Sequence, residues 1–148
     1  MKREKLNEMK MKFRALSSNE GFARIVTTAF IMPYSPTVEE LADIKTAVSE
    51  AVTNAIVHGY RSNGDKYVSL TAVMYSDGSL TVSISDKGCG IPEIHKAMEP
   101  LFTTDAENER TGMGFSIMET FTDKLRVVSR VGEGTRVTMT KRLSVFSK

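Results

Sequence analysis

The spacing of apolar residues changes in a fixed order along this chain, and that order restricts the fold more than any other feature. Met9, Met11, Phe13 and Ala15 alternate with Lys10, Lys12 and Arg14, the period of a half-buried strand. The spacing then lengthens to that of a helix. Ser17, with Glu20 three residues on, has the pattern of a capping box, and Phe22, Ile25, Val26, Ala29 and Phe30 form an apolar stripe that stops short of Pro33. Thr37 with Glu40 repeats the signal ahead of Leu41, Ile44, Val48, Ala51, Val52, Ala55 and Ile56, and Gly59 offers a stop. Period two returns over 67–74 and 79–85 around Asp77-Gly78, which reads as a hairpin, with Leu80, Val82 and Ile84 on one side and Thr81, Ser83 and Ser85 on the other. A short helix is expected over 93–98, a polar loop over 100–111 and a helix over 112–122. A last hairpin, 124–131 with 135–143, turns at Gly132-Glu133-Gly134. These blocks predict an α/β fold: a two-layer sandwich of one mixed β-sheet with helices on one face.

A chain of 148 residues suits one domain, here 1–148, with enough length for a hydrophobic core. Residues 1–5 are charged and aperiodic and are expected to fray. The net charge of +2 gives no broad field for nucleic acid, and Lys5, Lys10, Lys12 and Arg14 read as the solvated face of the first strand. No apolar run is long enough to span a bilayer and no signal peptide is visible. Cys89 is the only cysteine, so no internal disulfide can form. A cytoplasmic protein without membrane contact is expected. His58 reads as the end of the second helix, His95 as a surface residue, and no His/Cys cluster suggests zinc.

Four short motifs lie on these elements. Glu50-Ala51-Val52-Thr53-Asn54 falls on the second helix, so Glu50 and Asn54 project from one face a turn apart. An amide oxygen at Asn54 suits magnesium, which takes hard oxygen ligands while sharing phosphate oxygens, and Glu50 can then accept a proton from an attacking hydroxyl or water. Asp86-Lys87-Gly88-Cys89-Gly90-Ile91 falls where a strand ends. A carboxylate there can accept from the exocyclic amine of adenine, while Gly88 and Gly90 let backbone approach a flat base; alone, Asp86 fits a turn cap equally well. Pro100-Leu101-Phe102-Thr103-Thr104 lies in the polar loop, which with Arg110 reads as a lid. Gly112-Met113-Gly114-Phe115 opens a helix, where backbone N–H groups can hold phosphate oxygens. Thr135 is placed to hydrogen-bond a base or Asp86, and an ordinary strand threonine remains an open reading.

In this order and context the motifs resemble the ATP-binding (Bergerat-type) domain of the GHKL ATPases and kinases. Within that group the chain is most similar to the small serine kinases that double as anti-sigma factors, the sporulation anti-sigma F family. The resemblance covers nearly the whole chain and implies ATP and Mg2+ as cofactors. It implies Glu50 as catalytic base, Asn54 as metal ligand, and a nucleotide site of Thr53, Asn54, Asp86, Gly88, Gly90, Ile91, Thr103, Thr104, Arg110, Thr111, Gly112, Met113, Gly114, Phe115 and Thr135. It further implies a homodimer that sequesters a sporulation sigma factor and phosphorylates a serine of an anti-anti-sigma protein, without contacting nucleic acid directly. Glu20, Arg24 and Arg110 are the implied partner contacts. Cys89 stands where the family usually has an aliphatic residue and Thr111 where relatives often carry serine; neither change removes a needed group. A stress-response anti-sigma kinase and a non-catalytic ATP-gated binding module are the alternatives.

Overall fold

Between strand β1 (Lys5–Arg14) and strand β2 (Tyr67–Tyr75) the chain passes through two helices, α1 (Ser18–Ile31) and α2 (Val38–Asn54). Two traverses return it to the end it left, so β2 runs antiparallel to β1 with Arg14 opposite Tyr67. A tight turn at Asp77-Gly78 then reverses the chain into β3 (Ser79–Asp86). Helix α3 (Gly114–Thr120) leads to β4 (Lys124–Arg130), and a turn leads to β5 (Gly134–Arg142). The computed structural model describes residues 3–92 and 114–147.

The sheet order is β1-β2-β3-β5-β4, and α1, α2 and α3 lie over one face, which gives the expected two-layer α/β sandwich. Strands β3 and β4 run in the same direction, but β5 inserts between them. Every ladder among the described strands is therefore antiparallel, where the sequence suggested a mixed sheet. The core forms between sheet and helices. Leu70, Ala72 and Met74 of β2, Leu80, Val82 and Ile84 of β3, and Val137 and Met139 of β5 meet Ile44, Val48, Ala51 and Val52 of α2. Among the described residues no helix is long and apolar enough to cross a membrane.

Three local expectations are corrected. Residues 3–5 are held, not frayed: Arg3 stacks over the Tyr75 ring, Glu4 exchanges two hydrogen bonds with Ser76, and Lys5 opens β1 opposite Tyr75. Ser17 makes no side-chain cap. Its backbone is already helical, so its hydroxyl does not lie over the first free N–H groups, and Glu20 pairs with Arg24 instead. The buried face of α1 is Ala23, Thr27 and Ile31, while Phe22 (53% exposed) and Ile25 (65%) point outward. Thr27 can be buried because its hydroxyl donates to the Ala23 carbonyl at 2.9 Å, and small residues at 23 and 27 let α1 sit close to its neighbours. By contrast Thr37 and Glu40 form the complete capping box of α2.

Candidate functional site

β3 ends, β5 begins, α2 ends and α3 begins at one end of the sandwich. Asp86 continues the helix-side alternation of Leu80, Val82 and Ile84, so its carboxylate turns inward and is 8% exposed. It lies against Gly59: a Cβ there would stand 2.6 Å from the carboxyl carbon. The Gly88 N–H donates to Oδ1 at 2.9 Å. Burial pushes the Asp86 carboxyl up to about 6, against the opposing pull of the Gly88 and Thr135 N–H groups. A carboxylate so short of water favours any donor that reaches it.

A π-helical turn, Ala55–Gly59, extends α2. Such turns shift the hydrogen-bond ladder and often occur at functional sites. The Gly59 carbonyl accepts the Cys89 N–H at 2.9 Å, and the Cys89 thiol lies 3.1 Å from the His58 carbonyl. Tyr60 completes the attachment. Its hydroxyl donates to the Tyr67 carbonyl at 2.7 Å and accepts the Lys87 N–H at 2.6 Å. The loop after Asp86 is thus tied to the end of the helix that carries Glu50 and Asn54. Sequence reasoning missed Tyr60. The available signal was a tyrosine just past a helix stop, an apolar body whose hydroxyl needs a partner when buried.

Ser129 was missed as well, and it fixes the other side of the loop. Its hydroxyl accepts the Ile91 N–H at 2.8 Å, donates to the Gly134 carbonyl at 3.1 Å and shares a 2.7 Å hydrogen bond with the Thr135 hydroxyl. Thr135 therefore meets Asp86 through its backbone, while its hydroxyl is engaged by Ser129. Gly90 takes φ +75° as the loop passes the Arg130 carbonyl. Ile91 is half-buried against the core.

On α2, Ala51 and Val52 are buried while Glu50, Thr53 and Asn54 are half-exposed, so the polar residues share the side left open by the core. Gly114 opens α3 directly against Asn54; a Cβ there would lie 2.8 Å from Nδ2 and 3.0 Å from Oδ1. Phe115 is 8% exposed and anchors α3 in the core. Glu20 and Arg24 form an ion pair at 3.5 Å, and Arg24 also reaches the Ser49 hydroxyl at 3.5 Å, beside Glu50. Thr103, Thr104, Arg110, Thr111, Gly112 and Met113 lie outside the described residues. Among the described residues no group of three His, Cys, Asp or Glu side chains gathers to hold a metal.

Helices over one face of an antiparallel sheet, with Asn54, Asp86 and Gly114 at one end, define the class. The model of the histidine kinase-like ATPase domain matches residues 13–141. Among curated relatives, the anti-sigma F factor of Lysinibacillus sphaericus is 52% identical over 136 residues, 92% of each chain. That of Priestia megaterium is 49% identical over 138 residues, covering 93% of this chain and 94% of the relative. The chain belongs to the histidine kinase-like ATPase domain family and, within it, to the family of the anti-sigma F factors. Two solved structures share its fold. The RsbU and RsbW domains of a Mycobacterium tuberculosis protein superpose with a TM-score of 0.68 at 20% identity, over 93% of this chain and 32% of that one. A histidine kinase domain from Erythrobacter litoralis gives 0.54 at 31% identity, over 72% and 46%.

Proposed function

We propose that this protein is a single-domain, ATP-dependent serine kinase and anti-sigma factor acting in the cytoplasm as a homodimer. In the ATP-bound state it sequesters a sporulation sigma factor of the F type, and it phosphorylates a serine of an anti-anti-sigma protein. The observation that carries the reading is the meeting of Asp86, Gly59, Asn54 and Gly114 at one end of the fold, where the glycines leave room that a side chain would fill. The names of its relatives supply the biological context.

The residues present fit the groups that the family implies. The Asp86 carboxylate accepts the exocyclic amine of adenine and opposes guanine, which presents a carbonyl at that place. Asn54 would hold a magnesium ion through its amide oxygen, and the ion, when bound, neutralises charge on the phosphate oxygens. Gly114 keeps the space beside Asn54 clear for those oxygens. Thr53, Gly88, Gly90, Ile91 and Thr135 shape the surrounding wall, and the resemblance to the family assigns phosphate contacts to Thr103, Thr104, Arg110 and 111–113, which lie outside the described residues. The substrate serine hydroxyl attacks the γ-phosphorus, the bond to the bridging oxygen breaks, ADP leaves, and Glu50 takes the hydroxyl proton.

The family resemblance supports α1 as the partner-docking segment. Glu20 and Arg24 stand beside the exposed Phe22 and Ile25, so a charged pair borders apolar surface that the core does not use. The test is incubation with γ-labelled ATP, magnesium, the sigma factor and the antagonist. Label on an antagonist serine is expected, and Glu50→Gln is expected to keep ATP-dependent capture of the sigma factor while losing the label. Full labelling by the Glu50→Gln variant would remove Glu50 as the base, and label absent from wild type would leave only an ATP-gated binding module.

A further inference from the structure

The sheet face turned away from the helices is a trough with basic walls. Across it, Lys10, Thr71, Ser83, Thr138 and Arg126 stand opposite one another on the five strands. The next row is Lys12, Ser69, Ser85 and Arg136, with Val128 closing it on β4. The floor on β2 and β3 is short hydroxyl side chains, half-buried, with Ser83 and Thr138 sharing a 3.1 Å hydrogen bond. The walls are long, exposed cations. Among the described residues no carboxylate pairs with Lys10, Lys12, Arg126 or Arg136, although the chain as a whole carries only +2. These four cations therefore stand unpaired on this face, and its one carboxylate on β1, Glu8 opposite Val73, is held by Lys5 at 3.2 Å.

We infer that this trough docks an acidic α-helix of a partner protein, at a surface separate from both the nucleotide site and α1. The width fits. From β1 to β5 is three strand spacings, about 14 Å, and from β1 to β4 about 19 Å. A helix with its side chains is about 10–12 Å across, so one lying on the hydroxyl floor brings carboxylates on both flanks within reach of both walls. Single-stranded nucleic acid fits less well, because it needs bare aromatic rings on which bases can stack. The rings of this face, Tyr67 and Tyr75, stand at its two ends, and each already carries a cation. Arg3 lies 3.7 Å from the Tyr75 centroid, and Lys12 and Arg14 lie 5.7 and 5.9 Å from that of Tyr67. A membrane surface would call for a set of apolar side chains to insert, and in these two rows Val128 stands alone among hydroxyls and cations.

The test is an amide-shift titration of the full chain with three probes: a helical peptide of repeated Glu-Ala-Ala-Ala-Glu, an oligothymidylate, and anionic lipid vesicles. Saturable shifts on the open face of β1, β3 and β5 with the peptide are expected, weakening as salt rises. Lys10→Glu with Arg126→Glu should weaken peptide binding about tenfold or more, whereas Lys45→Glu on α2 should leave it unchanged. Shifts scattered over the surface, or equal weakening by Lys45→Glu, overturn the inference. Tighter binding of the oligonucleotide or the vesicles on this face assigns it to those ligands instead.

Discussion

Gly59 and Asp86 meet so closely that a methyl group on Gly59 would stand 2.6 Å from the Asp86 carboxyl. The π turn that extends α2 thus covers one side of the carboxylate, which is buried, and burial raises its pKa. Gly59→Ala should drive the two apart. A loss of about 1–3 kcal/mol in unfolding free energy is expected, as for other overpacked sites, together with weaker ATP binding. Urea melts and a nucleotide titration check it; unchanged values for both would show that the contact relaxes without consequence.

The charge on Asp86 sets a pH dependence. Its folded pKa of about 6 lies above the ordinary 3.8, so the folded state binds this proton more tightly than the unfolded chain does. The stabilisation is fully present below about 3.8 and is lost as pH rises through about 6, and above that the buried charge costs up to about 3 kcal/mol. Asp86→Asn should therefore raise the Tm of the nucleotide-free protein near pH 8 and change it little near pH 4. A shift of equal size at both would mean that the buried charge is not the cause.

Tyr60→Phe keeps the ring and removes one hydroxyl that serves two backbone groups. Leaving the Lys87 N–H without its partner should cost about 1–3 kcal/mol. Hydrogen exchange at Lys87 and Cys89 should quicken, while amides in the centre of β2 follow only the global change. If exchange quickens uniformly, Tyr60 supports the core in general and not the Asp86 loop.

The two helix starts are expected to respond differently. Thr37→Ala removes a formed cap and should cost about 1 kcal/mol, whereas Ser17→Ala removes none and should stay within about 0.5 kcal/mol. Glu40 adds a pH signature. Burial opposes its charge, but the Thr37 and Ser144 N–H groups win and hold its carboxyl below the ordinary 4.5. That contribution is present above 4.5 and is lost as pH falls through the lowered value. Glu40→Gln should thus destabilise at neutral pH and less in acid, and thermal melts across pH check the sign.

Much of the fold is written in spacing. Period two in β1 and β3 and the apolar stripe of α2 reappear as buried faces, because alternation and helical repeat fix which side chains share a side. The phase of α1 was not legible. Phe22 and Ile25 look like core by polarity, yet Ala23 and a threonine that bonds within its own helix take the interior. At the candidate site, the positions of Asp86 at a strand end and Asn54 at a helix end were legible from spacing, and the structure brings both to one end of the fold. Tyr60 and Ser129 were not, since their roles depend on backbone groups brought near by tertiary folding. The basic trough was hidden for the same reason: its walls come from opposite edges of the sheet.

The proposed function requires an adenine nucleotide between Asn54 and Asp86. Calorimetric titration of wild type and Asp86→Asn with ATP and with GTP in the presence of magnesium tests this most directly. Saturable heat with ATP, far weaker binding of GTP, and loss of that preference in Asp86→Asn are the expected results. Equal affinity of wild type for ATP and GTP, or no saturable heat with ATP on folded protein, would contradict it.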